Sequence, residues 1–397
     1  IETFDPHEPF FTQAEFQELY PHEYDGPPFD WPPYREVRED DQTVGHIRYM
    51  YAALLTFCDQ QLGRVLDIFD KYNLWEDTML LVNTDHGFLM GEHDWWAKVV
   101  NPFFQEIAHI PFWAYDPRHP DCINQERNAL IQTIDLAPTV LDYFEIPTTE
   151  DMQGKSISDA MQNDHEIRDA SLYGVMGGQV NVTDGTYVYM RAHTSDDNTP
   201  LYDYTLMPTH MRRPFSPREL QQWEKVDGFS FMKGCKVMQI PTRTPSFFYN
   251  KDNPVGKGKT ATLLFDIQAD PGQTKPLNDL EIESRMIRLM IKEMARNECP
   301  SEQFVRLGLP EPKRLGKGHG DDMIEMPSEE KIREACVLQT VEGLEAATHG
   351  ATGFPKMPFR SVAWEGEMTL EEAAFPDNLR LRPGYVFSQT KEPPEKT

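Results

Sequence analysis

Apolar positions in this chain follow two rhythms. From Thr43 to about Tyr72, residues Tyr49, Ala52, Ala53, Leu55, Thr56, Leu62, Val65, Leu66 and Phe69 recur at steps of three and four, which predicts an amphipathic helix. Asp41 or Thr43 can cap its start, and Asn73 fits its end. Short continuous apolar runs at 78–84, Ile110–Tyr115 and 262–267 predict buried strands instead. The stretch 125–145 predicts a second helix, its regular part beginning near Ala137 because Pro138 is tolerated in a first turn. Residues 171–192 read as two or three antiparallel strands with a hairpin signal at Thr183-Asp184-Gly185-Thr186. Residues 280–297 read as a helix with Ile282, Met286, Leu289, Met290 and Met294 on one stripe. Strand and helix in alternation predict the α/β class, with a mainly parallel sheet covered by helices on both faces and a small antiparallel C-terminal sheet with its helix.

This pattern divides the chain into residues 1–170, an α/β core, and 171–298, a smaller subdomain carrying the antiparallel sheet and a long irregular insert at 193–260. Residues 299–397 shift to Pro-, Gly- and charge-rich sequence with short helical patches at 328–345 and 369–374. They read as an extension that wraps the domain or contributes to a homo-oligomer interface. Residues 1–11 begin like a strand and pass into Asp5-Pro6-His7-Glu8-Pro9-Phe10, where two prolines stiffen the backbone around His7.

Charge changes the picture. The 397 residues carry a net charge of -27, which disfavours nucleic acid and anionic membrane as partners. An anionic substrate would require local cationic groups to overcome that field. No run reaches the roughly 18–20 apolar residues of a membrane span. The five scattered cysteines form no CxxC and no disulfide framework, which mildly favours a reducing, cytoplasmic setting over any other; the compartment is otherwise open.

The densest candidate chemistry follows the strand at 78–84. Asp85, His86, Glu92, His93, Asp94 and Lys98 lie in one short stretch, and Gly87 lets the chain turn after Asp85-His86. In α/β sheets ligands bind beyond the carboxyl ends of strands, so this cluster is a candidate site.

Several segments in order resemble one family. Thr84-Asp85-His86-Gly87, Met90-Gly91-Glu92-His93 and Trp96-Ala97-Lys98 are similar to the metal and substrate-lysine segment of the sulfatases, within the alkaline-phosphatase superfamily. Asp5-Pro6-His7-Glu8-Pro9-Phe10 resembles the sulfatase His-x-Pro segment. Asp135-Leu136-Ala137-Pro138-Thr139, Met152-Gln153-Gly154-Lys155-Ser156, and Leu264-Phe265-Asp266-Ile267 with Asp270-Pro271-Gly272 also resemble stretches found there, so that the likeness covers roughly residues 1–290.

The resemblance implies an alkaline-phosphatase-like fold and hydrolysis of small-molecule or saccharide sulfate esters. It implies that Asp85 and His86 bind one divalent metal ion, most often Ca²⁺ in the family, while Mn²⁺ and Mg²⁺ also suit a carboxylate and an imidazole. It implies that Lys98 is a point charge on the sulfate and that His7 binds the sulfate or protonates the leaving oxygen. Glu92 and His93 are read as positioning the loop, with His93 kept as a candidate substrate contact. The family's nucleophile motif, Cys-x-Pro-Ser-Arg with the cysteine oxidised to formylglycine, has no match; Cys299-Pro300-Ser301-Glu302 lacks the spacing and the Arg. The expectation is therefore a C-terminal portion of a sulfatase, inactive alone, with formylglycine in a preceding part. A phosphonate monoester or phosphodiester hydrolase on the same scaffold, and an inactive fragment or structural subunit, are the alternatives.

Overall fold

Asp40 starts the dominant helix of the chain by accepting the Thr43 N–H on its side chain at 2.9 Å. The cap is thus one residue before Asp41, and Thr43 supplies the donor. The helix runs Asp41–Tyr72 and stops at Asn73, whose φ of 57° is the left-handed conformation that asparagine tolerates. The computed structural model describes residues 1–99, 102–195, 197–207, 209–210, 214–242, 261–315 and 321–338, with the backbone of 249–250, 253–254, 358–360 and 367–369. It has two compact units, one of residues 1–127 with 349–397 and the other of residues 128–348.

In the first unit the N-terminal half of the long helix buries Val44, Ile47, Met50 and Leu54 against Phe10, Met90, Trp96 and Ala97. The strand predicted at 78–84 is Leu80–Asn83, and that at 110–115 is Phe112–Tyr115. They pair antiparallel, from Leu80 opposite Tyr115 to Asn83 opposite Phe112. This corrects the expected parallel pairing here, and every described strand pairing is antiparallel. A parallel neighbour needs a crossover, normally a helix of ten or so residues. The segment between these strands instead holds a two-residue hairpin, Leu89–Met90 with Trp96–Ala97, and the short helix Gln105–Ala108. The strand-like start at 1–11 is a series of turns and bends.

In the second unit the expected antiparallel sheet has four strands, in the order 263–266, 187–191, 180–183, 171–174. The helix Leu280–Arg296 lies on it, capped by Asp279, and buries Met286, Ile287, Met290, Ile291 and Met294. Each such side chain contributes about 1.5–3 kcal/mol. The helix expected over 125–145 is confined to Leu136–Tyr143 after a tight turn at Thr133–Asp135. Asp135 is fully buried and accepts from the N–H groups of Gln132 at 2.7 Å and Lys155 at 2.8 Å and from Arg168 Nη2 at 2.6 Å. The segments around Asp135 and Gly154 thus meet, closely enough that a Cβ on Gly154 would lie 2.0 Å from the Ile134 carbonyl oxygen. The region 193–260 is less irregular than its sequence. It contains a three-stranded antiparallel sheet of Tyr202–Thr205, Lys236–Pro241 and Glu224–Asp227.

The helical patch at 328–345 is Glu329–Glu334; the part from 339 and the patch at 370–374 lie outside the described residues, and 367–369 is a strand. A helix at Ser301–Leu307 was not legible in the pattern. Phe304, Leu307, Leu309, Ile332 and Leu338 enter the core under the sheet helix, so this stretch of the extension packs within its own unit. Buried polar groups lock it there. Arg191 donates to the carbonyls of Leu307 at 2.8 Å and Ala335 at 2.9 Å, and to Tyr189 Oη at 2.9 Å. Tyr189 in turn donates to Glu283 at 3.0 Å, and Glu283 accepts the N–H groups of Val337 at 2.9 Å and Leu338 at 3.2 Å. Glu283→Ala removes an acceptor from several buried donors, and the expected loss is about 2–4 kcal/mol in urea unfolding of the second unit; an unchanged midpoint would show that the 335–338 segment is not held by this carboxylate.

Candidate functional site

The strand Leu80–Asn83 ends in Thr84-Asp85-His86-Gly87, and the turn is pressed against another backbone segment. Gly87 donates to the Ile107 carbonyl at 2.9 Å, and a Cβ there would lie 1.8 Å from the Glu106 carbonyl oxygen. Only glycine fits this approach. The Asp85 carboxylate accepts the His86 N–H at 3.0 Å, and its side chain is 81% exposed. His86 Nδ1 lies 3.0 Å from the Gly87 carbonyl. A carbonyl only accepts, so Nδ1 carries the proton and the neutral ring has its lone pair at Nε2. That Nε2 lies 3.5 Å from Asp85 Oδ2.

Two lone-pair donors facing each other repel unless a cation or proton lies between them. A metal-binding histidine typically has its second nitrogen tied to a backbone carbonyl or a carboxylate, as here. Asp85 and His86 therefore fit as one oxygen and one nitrogen ligand of a divalent ion. Among the described residues, no group of three or more His, Cys, Asp or Glu is placed to complete a metal site.

The loop after the turn is held by charge. Arg48, from the long helix, donates to Glu92 at 2.6 Å and to the Met90 carbonyl at 2.9 Å. His93 is not turned to solvent: its Nε2 lies 3.2 Å from Glu106, and its ring stacks on Phe104 at 3.6 Å. This geometry suits a loop-positioning residue. Four non-glycine residues of this loop, His93, Asp94, Ala97 and Val99, have φ between 54° and 80°. Such conformations cost of order 1–3 kcal/mol each and cluster at functional sites. Ala97 and Val99 flank Lys98.

Lys98 is 7% exposed and its ammonium lies 3.2 Å from Glu8 Oε2. The same oxygen is 3.4 Å from His7 Nδ1, and the other, Oε1, accepts the Tyr34 hydroxyl. His7 Nδ1 also donates to the Glu8 carbonyl at 2.6 Å, which leaves Nε2 as the nitrogen available to a ligand. The Phe88 ring, two residues after His86, is 5.8 Å from the Lys98 ammonium. The structure thus gathers His7 and Lys98 on one carboxylate and places Asp85 beside His86. Sequence reasoning missed Glu8, Tyr34, Arg48 and Glu106. Glu8 alone had a visible signal, a charged residue locked between two prolines next to a candidate histidine.

Burial would raise the Glu8 carboxyl, but the Tyr34 hydroxyl and the Lys98 ammonium outweigh it and hold it below the ordinary value. Among the described residues the cysteines form no disulfide. Burial pushes the Cys58 and Cys299 thiols up to about 12 and Cys336 to about 11, so these thiols stay protonated and are poor nucleophiles.

Residues 2–146 match the family described as Sulfatase, and residues 91–223 match the family described as N-sulphoglucosamine sulphohydrolase, C-terminal. The chain is 34% identical to human iduronate 2-sulfatase over 139 residues, 28% of this chain and 25% of that protein. It is 28% identical to N-acetylglucosamine-6-O-sulfatase of Bacteroides thetaiotaomicron over 230 residues, 54% of this chain and 38% of that one. A solved structure of a protein in complex with its substrate D-glucosamine-2-N,6-O-disulfate aligns at a TM-score of 0.42 and 15% identity, over 66% of this chain and 44% of that one. The chain spans well under half the length of these relatives. Among the described residues no helix is long and apolar enough to cross a membrane.

The loop's anchoring predicts a pH dependence. The Glu39 carboxylate accepts from Trp96 Nε1 at 2.7 Å and from Arg35 Nη2 at 2.5 Å. Burial works to raise the Glu39 carboxyl, yet these bonds win and hold it at about 2 rather than 4.5. Its contribution is thus fully present above pH 4.5 and is lost as pH falls toward 2. In acid titrations of chemical unfolding, the wild-type advantage over Glu39→Gln is expected to shrink across that window; a constant difference down to pH 2 would refute the assignment.

Proposed function

The chain belongs to the sulfatase family over residues 2–146, and from that premise we propose that it serves in the hydrolysis of sulfate esters, with a sulfated saccharide as the substrate class. The observation that carries the reading is the Asp85–His86 pair at a strand end, with His86 Nδ1 tied to a carbonyl and Nε2 turned to the carboxylate. Saccharide sulfates are supported by the names of two relatives, an iduronate and an N-acetylglucosamine sulfatase.

Asp85 and His86 would hold a divalent ion, Ca²⁺ by family resemblance, with Mn²⁺ and Mg²⁺ also compatible with the donors. When bound, the ion supplies positive charge to a sulfate oxygen. Lys98 supplies a second positive charge: its ammonium has three donors, and Glu8 engages one. His7 presents Nε2, from which a proton can pass to the leaving alcohol oxygen. Together these groups make a local positive site on a chain whose net charge is -27. No residue of this chain is assigned the role of nucleophile.

Two substitutions test the reading in the protein that carries this chain. Asp85→Ala is expected to strip the bound divalent ion, read by plasma emission, and to abolish sulfate-ester hydrolysis; unchanged metal content would remove Asp85 from the site. Lys98→Ala is expected to lower kcat/KM on an aryl or saccharide sulfate by about 10²-fold or more. An unaltered value would remove Lys98, and faster turnover of an aryl phosphonate than of the matching sulfate would move the chain to phosphonate hydrolysis.

A further inference from the structure

Glu8 is 1% exposed, and each of its carboxylate oxygens has a distinct task. Oε1 accepts the Tyr34 hydroxyl. Tyr34 is itself anchored, because its neighbour Arg35 accepts the Trp96 N–H at 3.0 Å and donates to Glu39 at 2.5 Å. With one oxygen pinned, the other is directed at two nitrogens, the Lys98 ammonium Nζ at 3.2 Å and His7 Nδ1 at 3.4 Å. A buried carboxylate is stable only with partners of this kind.

We propose that Glu8 is a positioning residue, a buried carboxylate that fixes the Lys98 ammonium and the His7 ring relative to each other through one oxygen, with Tyr34 as its anchor. Its place in sulfate-ester hydrolysis rests on the functional reading above; the clamp itself rests on geometry alone. Lys98 is the only lysine bonded to Glu8 among the described residues, and no other carboxylate is shown against it. The flanking φ values at Ala97 and Val99, 70° and 80°, are conformations that persist when such surroundings over-determine them. His7 is held on its Nδ1 side by both the backbone carbonyl and the carboxylate of Glu8, so the ring can present only Nε2 outward.

The test uses the intact chain and limited reductive methylation, with each lysine quantified by peptide mass spectrometry. Glu8→Gln keeps the shape and removes the charge, and is expected to raise Lys98 labelling about tenfold, the factor set by loss of a charge-assisted hydrogen bond. Glu8→Asp is expected to restore part of the protection. Lys292, bonded to Asp169 in the second unit, is the control and should not change. Equal labelling of Lys98 in wild type and Glu8→Gln would overturn the proposal. If Glu8→Gln loses the near-ultraviolet dichroism of the wild type or Lys292 also rises, the variant has unfolded, and Tyr34→Phe decides: increased labelling of Lys98 with the dichroism retained supports the clamp, and none refutes it. Turnover is read in parallel in the complete protein that carries this chain, where Glu8→Gln should lower kcat more than it raises KM. Absence of turnover in the wild-type complete protein would sink the sulfate-ester reading and leave the labelling result standing.

Discussion

The first unit is built around a carboxylate that water cannot reach. Burying Glu8 without partners would cost several kcal/mol, so the surroundings must bring cations and donors to it. Lys98 comes from the far end of the polar loop, Tyr34 from the segment before the long helix, and His7 from the next position in the chain. Each partner is secured by its own contacts, Lys98 by the contorted backbone around it and Tyr34 through Arg35 and Trp96. Three stretches far apart in sequence are thereby drawn to one point, and two candidate substrate contacts are among them.

The Asp85–His86 turn obeys a different constraint. Its placement depends on the absence of a side chain at Gly87, which lets the turn lie against the Glu106–Ile107 backbone. The same segment supplies the Glu106 carboxylate to His93 and the Phe104 ring on which His93 stacks. Ligand candidates and loop anchors are thus supported from one short stretch, 104–107. The second unit repeats the principle of a buried, fully partnered polar network without candidate chemistry: Arg191, Tyr189 and Glu283 bind Leu307 and the 335–338 stretch to the sheet and its helix.

Local periodicity made the long helix, the four-stranded antiparallel sheet and the sheet helix legible, because each buries one face at a regular spacing, as Met286, Met290 and Met294 do. The three-stranded sheet within 193–260 was not legible. Its strands are separated by loops, and Glu224–Asp227 has only Val226 turned inward, so no apolar alternation marks it. The direction of Phe112–Tyr115 was misread for the same kind of reason: alternation of elements says which segments are strands, while the length and content of the connection decide how they pair.

For the site, carboxylate, imidazole and ammonium clustered after a strand marked the stretch with Asp85, His86 and Lys98 as a candidate, while the roles of its members and the inclusion of His7 came from the resemblance to the sulfatases. Only the tertiary structure decided that His7 and Lys98 share Glu8, that His93 is turned to Glu106, and that Asp85 and His86 face each other across 3.5 Å. A sequence records which groups can ionise or bind. It does not record which of them fold to within bonding distance, because that follows from packing between segments as distant as residues 8 and 98.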